Sequence, residues 1–219
     1  MPDMSLPVVN PARHPAQHWF ESPHGQALLA SERAQVEAAL RERPAQEWLW
    51  LAPVADAVAG YESAGGLCLF PADWDRSQRY AVPFSIPAES LGTVVLQHVA
   101  DGARDPALLA ECRRLLAPGG RLWLFVLNPL APYRWNWRGT GLGGTEPVVW
   151  RRRLRRAGFA PEPVSLGIGP RWNPQVDAVL QSGAGIRAAY LLRAEKRAFG
   201  LTPIRSDRRQ SPGTVPATA

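Results

Sequence analysis

A histidine closes the apolar, β-branched run "TVVLQH" at residues 93–98, where its imidazole could act as a base or orienting group near neutral pH. Gln97 beside it brings an amide able both to donate and to accept. The other histidines, His14, His18 and His24, lie near the N-terminus and form no metal-ligating spacing with His98. Cys68 and Cys112 stand far apart without a Cys-x-x-Cys or Cys/His cluster, so neither a zinc site nor a disulfide framework is indicated. A second constellation alternates Tyr133, Trp135 and Trp137 with Arg134 and Arg138. It reads as a substrate lid or a stacking platform for bases, or equally as a packed loop covering the sheet. The third is "RRRLRR", Arg151 to Arg156, where Trp150, Leu154 and Ala157 at helical spacing account for burial and the arginines face water.

The formal charge is +6, with Lys196 the only lysine. From Arg113 to Arg156 there are ten arginines and one acid, Glu146, which predicts a basic face and keeps a nucleic-acid partner open. The N-terminal "MPDMSLPVVNPARHP" lacks the apolar core of a signal peptide, and no apolar run reaches membrane-spanning length. A reduced, cytoplasmic setting is expected.

The elements that must position these groups follow from periodicity. At 219 residues the chain suits one α/β domain with tails. Residues 1–20 are Pro-rich and expected to be loose, and residues 200–219 have the Ser/Pro/Thr/Arg content of a disordered tail. Between them, 21–199 forms the domain, opened by a helix over 22–43 that starts at Ser22-Pro23 and stops before Pro44. Strands are expected at "EWLWLA" (47–52) and "LCLF" (67–70), with a short helix between, and a turn or brief strand near "RYAVPF". From 93 to 127 the pattern is β-α-β: Asp105 as N-cap, Pro106 in the first turn, Leu108, Leu109, Cys112, Leu115 and Leu116 on one face. Gly119 and Gly120 are expected to supply left-handed residues before the wholly apolar strand 122–127. A helix at "EPVVWRRRLRRA" ending at Gly158, strands at "APEPVSLGIG" and "AAYLLRAEK", and a short helix at 176–180 complete a doubly wound, mostly parallel, Rossmann-like sheet of about seven strands.

The stretch "VVLQHVADGARDPALLAECRRLLAPGGRLWLFVLNP" (94–129) resembles the second half of the class I S-adenosylmethionine-dependent methyltransferases of the type 11 group. "NPLAPYRW", "LRRAGF", "AYLLRAEKRAFGLTPIR" and the opening "HGQALLASE" look like a small bacterial subgroup of it. The resemblance implies an S-adenosyl-L-methionine cofactor across the ends of the first strands, and there the chain departs from the pattern. Trp50 takes the place of the family's acid, Ala52 and Val54 those of the two turn glycines, with Pro53 between, and Val54 is expected to resist positive φ. Leu69 and Phe70 stand where a carboxylate would hold the ribose, with Asp73 or Asp75 as substitutes, and the acid before "AVPF" is missing. The implied cofactor contacts are Ala52, Pro53, Val54, Phe70, Asp73 and Gln97, with His98 against the methyl donor, or else simply tying the strand end to the next loop. Asn128-Pro129 reads as a turn that directs the aromatic loop. The resemblance thus implies a methyltransferase of unknown substrate with weak or lost cofactor binding; alternatives are a catalytically silent methyltransferase-fold partner protein and an RNA-associated factor.

Overall fold

The computed structural model describes residues 14–61, 65–71, 80, 82–100 and 106–197. The expected tail at 200–219, Asp73, Asp75 and the Asp105 cap lie outside the described residues.

Four strands, β1 (Glu47–Leu51), β2 (Gly66–Leu69), β3 (Leu91–Gln97) and β4 (Leu116–Leu127), pair in parallel in the order β2-β1-β3-β4. Every residue of β3 is buried, which is why it carries no polar alternation. Four later strands complete the sheet: β5 (Phe159–Pro161), β6 (Leu166–Ile168), β7 (Gln181–Ser182) and β8 (Ala189–Lys196). β8 runs antiparallel to β4 and carries β5 and β6 on its other side, giving the order β2-β1-β3-β4-β8-β6-β7. The chain leaves β1 for β2 on one side and returns to β3 on the other, so the topological switch lies between β1 and β3, where open α/β sheets bind ligands at their carboxyl ends.

Alternation sets the two faces. Trp48, Trp50, Val95, Trp123, Phe125 and Leu191 pack under α2 (Pro23–Arg41) through Val36, Ala39 and Leu40. On the opposite face Leu49, Leu51, Val94, Leu96, Leu122, Leu124 and Tyr190 meet α3 (Pro106–Leu115) and α4 (Pro147–Arg156), whose Trp150 and Leu154 are buried as the helical spacing requires. Between β1 and β2 the regular structure among the described residues is one 3-10 turn, Ala55–Val58.

Three local expectations are corrected. Residues 15–21 are a helix, α1 (Pro15–Glu21), counted in chain order before α2, rather than loose chain. His14 Nδ1 accepts from the Ala16 N–H at 3.1 Å and Pro15 opens the first turn, while Ala16, Trp19 and Phe20 are buried. Gly25 permits this docking, because a Cβ there would fall on the Trp19 carbonyl and the Phe20 backbone. Before β4's apolar half only Gly119 is left-handed, at φ +71°; Gly120 is needed for space, since a Cβ would lie 2.8 Å from the Ala117 carbonyl oxygen. Residues 176–180 are not helical, because their chain is tied elsewhere: the Asp177 N–H donates to Ser31 Oγ at 2.9 Å and its carboxylate pairs with Arg187.

Candidate functional site

At the carboxyl end of β3 the backbone turns sharply. His98 has φ +57°, unusual for a non-glycine residue, and its N–H donates to the Phe125 carbonyl at 3.1 Å. Its side chain points toward α2 and meets Glu32, with Nε2 at 2.9 and 3.0 Å from the two carboxylate oxygens. Gln97 donates from Nε2 to Glu32 at 2.8 Å and accepts from Trp50 Nε1 at 3.2 Å. Trp50, Gln97, Glu32 and His98 therefore form one buried polar chain, and since the Glu32 oxygens already accept from Gln97, the network assigns His98 its proton on Nε2. His98 Nδ1 is buried without a hydrogen-bond partner.

A carboxylate–imidazole pair can move a proton only if the other ring nitrogen reaches a substrate. Here both side chains have zero exposure. Phe20 of α1 stacks on the imidazole at 5.5 Å and 25°. Glu32 was not among the residues singled out in the sequence, although a signal existed: it falls at the i+4 spacing between Leu28 and Val36, a charged residue on the apolar stripe of α2.

The structure brings Ala52, Pro53, Val54, Gln97 and His98 to one end of the sheet but does not build a cofactor cradle from them. Ala52 extends the strand pairing, its N–H donating to the Leu69 carbonyl at 2.8 Å, and Val54 sits in extended backbone at φ −144°. The expected strain of a β-branched residue at positive φ therefore never arises; the chain makes no such turn. Val54 is instead buried in the cluster holding Phe20, Leu28 and Leu127. Phe70, just beyond β2, is half exposed. The cavity beside Trp50 and Gln97, also lined by Leu29, Arg33 and Asp56, measures about 100 Å³, against ~300 Å³ or more for sites that enclose a ligand of drug size. That cavity is too small to enclose S-adenosylmethionine.

The aromatic loop is mostly packed. A 3-10 helix over Pro132–Trp137 buries Tyr133 and Trp137; the Tyr133 hydroxyl donates to the His24 carbonyl at 3.0 Å, and Trp137 meets Trp19 edge-on at 5.7 Å. Of the loop's aromatic rings Trp135 alone is exposed, with the Arg134 and Arg138 guanidiniums 5.5 and 5.1 Å from its centroid. Asn128 anchors the entry to this loop, donating to the Gly185 and Arg187 carbonyls at 2.9 Å each and accepting from the Leu130 N–H.

Burial pushes the Tyr133 phenol up to about 12, and that of Tyr190, whose hydroxyl donates to the Thr145 carbonyl, up as well, with Arg151 and Arg153 partly opposing. A phenol whose folded value is raised contributes stability that is complete below its unfolded value and is lost as the pH rises past it. Stability is therefore expected to hold up to about pH 10 and to fall steadily toward pH 12, and the Tyr133→Phe variant to show a shallower loss. Urea midpoints across that range measure both.

Among the described residues no group of three or more His, Cys, Asp or Glu is placed to hold a metal, and no helix is long and apolar enough to cross a membrane.

The architecture is shared with solved S-adenosylmethionine-dependent methyltransferases. One from Thermotoga maritima, described as a possible histamine N-methyltransferase, is 16% identical over 83% of this chain and 94% of its own, with a TM-score of 0.57. The N-methyltransferase NodS of Bradyrhizobium japonicum, in complex with S-adenosylhomocysteine, is 11% identical over 85% of this chain and all of its own, at 0.52. The trans-methyltransferase CalH, also with S-adenosylhomocysteine, is 17% identical over 79% of this chain, which spans 58% of CalH, at 0.50. Likeness at these identities shows a class I methyltransferase fold. No protein-family model matches the chain, and no curated protein does.

Proposed function

We propose that this chain uses the methyltransferase fold as a binding or regulatory scaffold and does not carry out methyl transfer. The observation that supports this reading is what occupies the carboxyl end of β3: Phe20 stacked on a buried His98, with Val54 packed beneath the same helix. A donor and an acceptor meeting at His98 would have to displace these side chains.

A second reading is a divergent S-adenosylmethionine-dependent methyltransferase of the type 11, small bacterial kind, with an unspecified substrate and a cytoplasmic setting. It is favoured by NodS and CalH, which hold S-adenosylhomocysteine in this fold. It also draws on the exposed Phe70 ring, against which an adenine could stack. On it, Asp73 supplies the ribose carboxylate and Gln97 and His98 border the donor.

Calorimetric titration with S-adenosylmethionine and S-adenosylhomocysteine separates the two. Two missing charge-assisted hydrogen bonds to the ribose, each worth about 1.5–3 kcal/mol, weaken binding a few hundred-fold or more. Weak or undetectable binding is expected; a micromolar dissociation constant would establish the second reading. Replacing Ala52 and Val54 by Gly and Phe70 by Asp is the constructive arm. A gain in affinity in that variant locates the defect at those three positions.

A further inference from the structure

At the opposite end of the sheet, beside the amino ends of β3 and β4, a cavity of about 1020 Å³ opens between α3 and α4. Its lining divides into two kinds of surface. Pro106, Leu109, Ala110 and Ala157 give an apolar floor, and around it stand Arg113, Arg114, Arg153, Arg156, Lys196 and Arg197, with Glu89 the one acid. Two of these cations are already committed. Lys196 binds Glu89 at 2.9 Å and the Leu116 carbonyl at 2.7 Å, and Arg114 is held by Glu111 and the Phe84 and Ile86 carbonyls. By contrast, no carboxylate among the described residues pairs with Arg153, Arg156 or Arg197. Arg153 is anchored over the Trp150 ring at 5.5 Å, yet its Nη1 is buried with no hydrogen-bond partner.

Guanidiniums that line a cavity without a carboxylate partner offer their forks to an anion. Arginine forks match phosphate oxygens bidentately, and their planes also stack on flat rings. The apolar floor has no use for a bare inorganic anion, whereas it suits an organic body attached to one. We propose that this cavity binds the phosphates and base of a nucleotide, with Arg153 and Arg156 as the phosphate contacts and the Leu109–Ala157 floor beneath the organic part. The site shares no lining residue with the carboxyl end of the sheet, so it stands whatever the donor titration shows.

The test uses the full chain with ADP as the probe, beside pyrophosphate and a single-stranded RNA dodecamer. ADP is expected to bind, more tightly than pyrophosphate, and to weaken several-fold as salt rises from about 50 to about 200 mM. In the double variant Arg153→Gln/Arg156→Gln the affinity should fall about tenfold or more, since each loses a charge-assisted contact. The double variant Arg152→Gln/Arg155→Gln removes the same charge from α4 outside the cavity lining and should stay within about twofold. Circular dichroism verifies that both fold. Displacement of ADP by the dodecamer identifies the phosphates as those of an RNA strand, and failure to displace it identifies a free nucleotide; either outcome keeps the site. Absence of ADP binding, equal losses in the two double variants, or pyrophosphate binding as tightly as ADP would overturn the assignment.

Discussion

Replacing Glu32 by Leu is expected to cost the protein about 2–6 kcal/mol, because it strands two donors in the core at about 1–3 kcal/mol each. The Gln97 amide and the His98 Nε2–H both end on this carboxylate, and neither has another acceptor among the described residues. Glu32→Gln keeps one acceptor oxygen and the shape of the side chain, so about half that loss is expected. Urea unfolding of the three proteins measures the series. A Leu variant within about 1 kcal/mol of the parent would mean that the network relaxes or takes in water, and that the chain from Trp50 to His98 is not a structural tie.

Phe20→Ala is expected to be as damaging, at about 3–5 kcal/mol, since it empties a fully buried aromatic site between α1 and the sheet. Phe20 meets Trp19 edge-on at 4.9 Å as well as covering His98, so truncation loosens the helix that seals the carboxyl end. The milder Phe20→Leu variant keeps the fold and thins the cover. Acylation of histidine by diethylpyrocarbonate, followed residue by residue by mass spectrometry, reads the consequence. In the parent protein His98 should be protected; in Phe20→Leu it should react. Equal labelling of His98 in both proteins would show that Phe20 is not what shields it.

The resemblance read from residues 94–129 and the architecture agree because that stretch carries its structure locally. Asp-Pro before an amphipathic run, glycines after it and a run of apolar β-formers describe helix, stop and buried strand without help from the rest of the chain. The buried face of α4 was equally legible, since Trp150 and Leu154 mark it, but Arg151 and Arg153 are half-buried rather than facing water. The N-terminal helix was not legible. Pro-rich composition suggested loose chain, and the docking of α1 rests on a long-range fit in which Gly25 lets the two helices touch and Trp19 reaches Trp137 across the molecule. The extended backbone at Val54 was also out of reach, because an alignment to a glycine turn assumes that the turn is made.

By itself, then, the sequence determined the mostly parallel sheet and the faces of its strands and helices. Each of these depends on residue type and spacing within a few turns of chain. Only the tertiary structure decided that His98 is sealed rather than presented, that its partner is Glu32, 66 residues away, and that the unpaired arginines of α4 border a cavity with α3. Those are facts about which surfaces meet, and burial and hydrogen bonding between distant segments leave no period in the sequence to read.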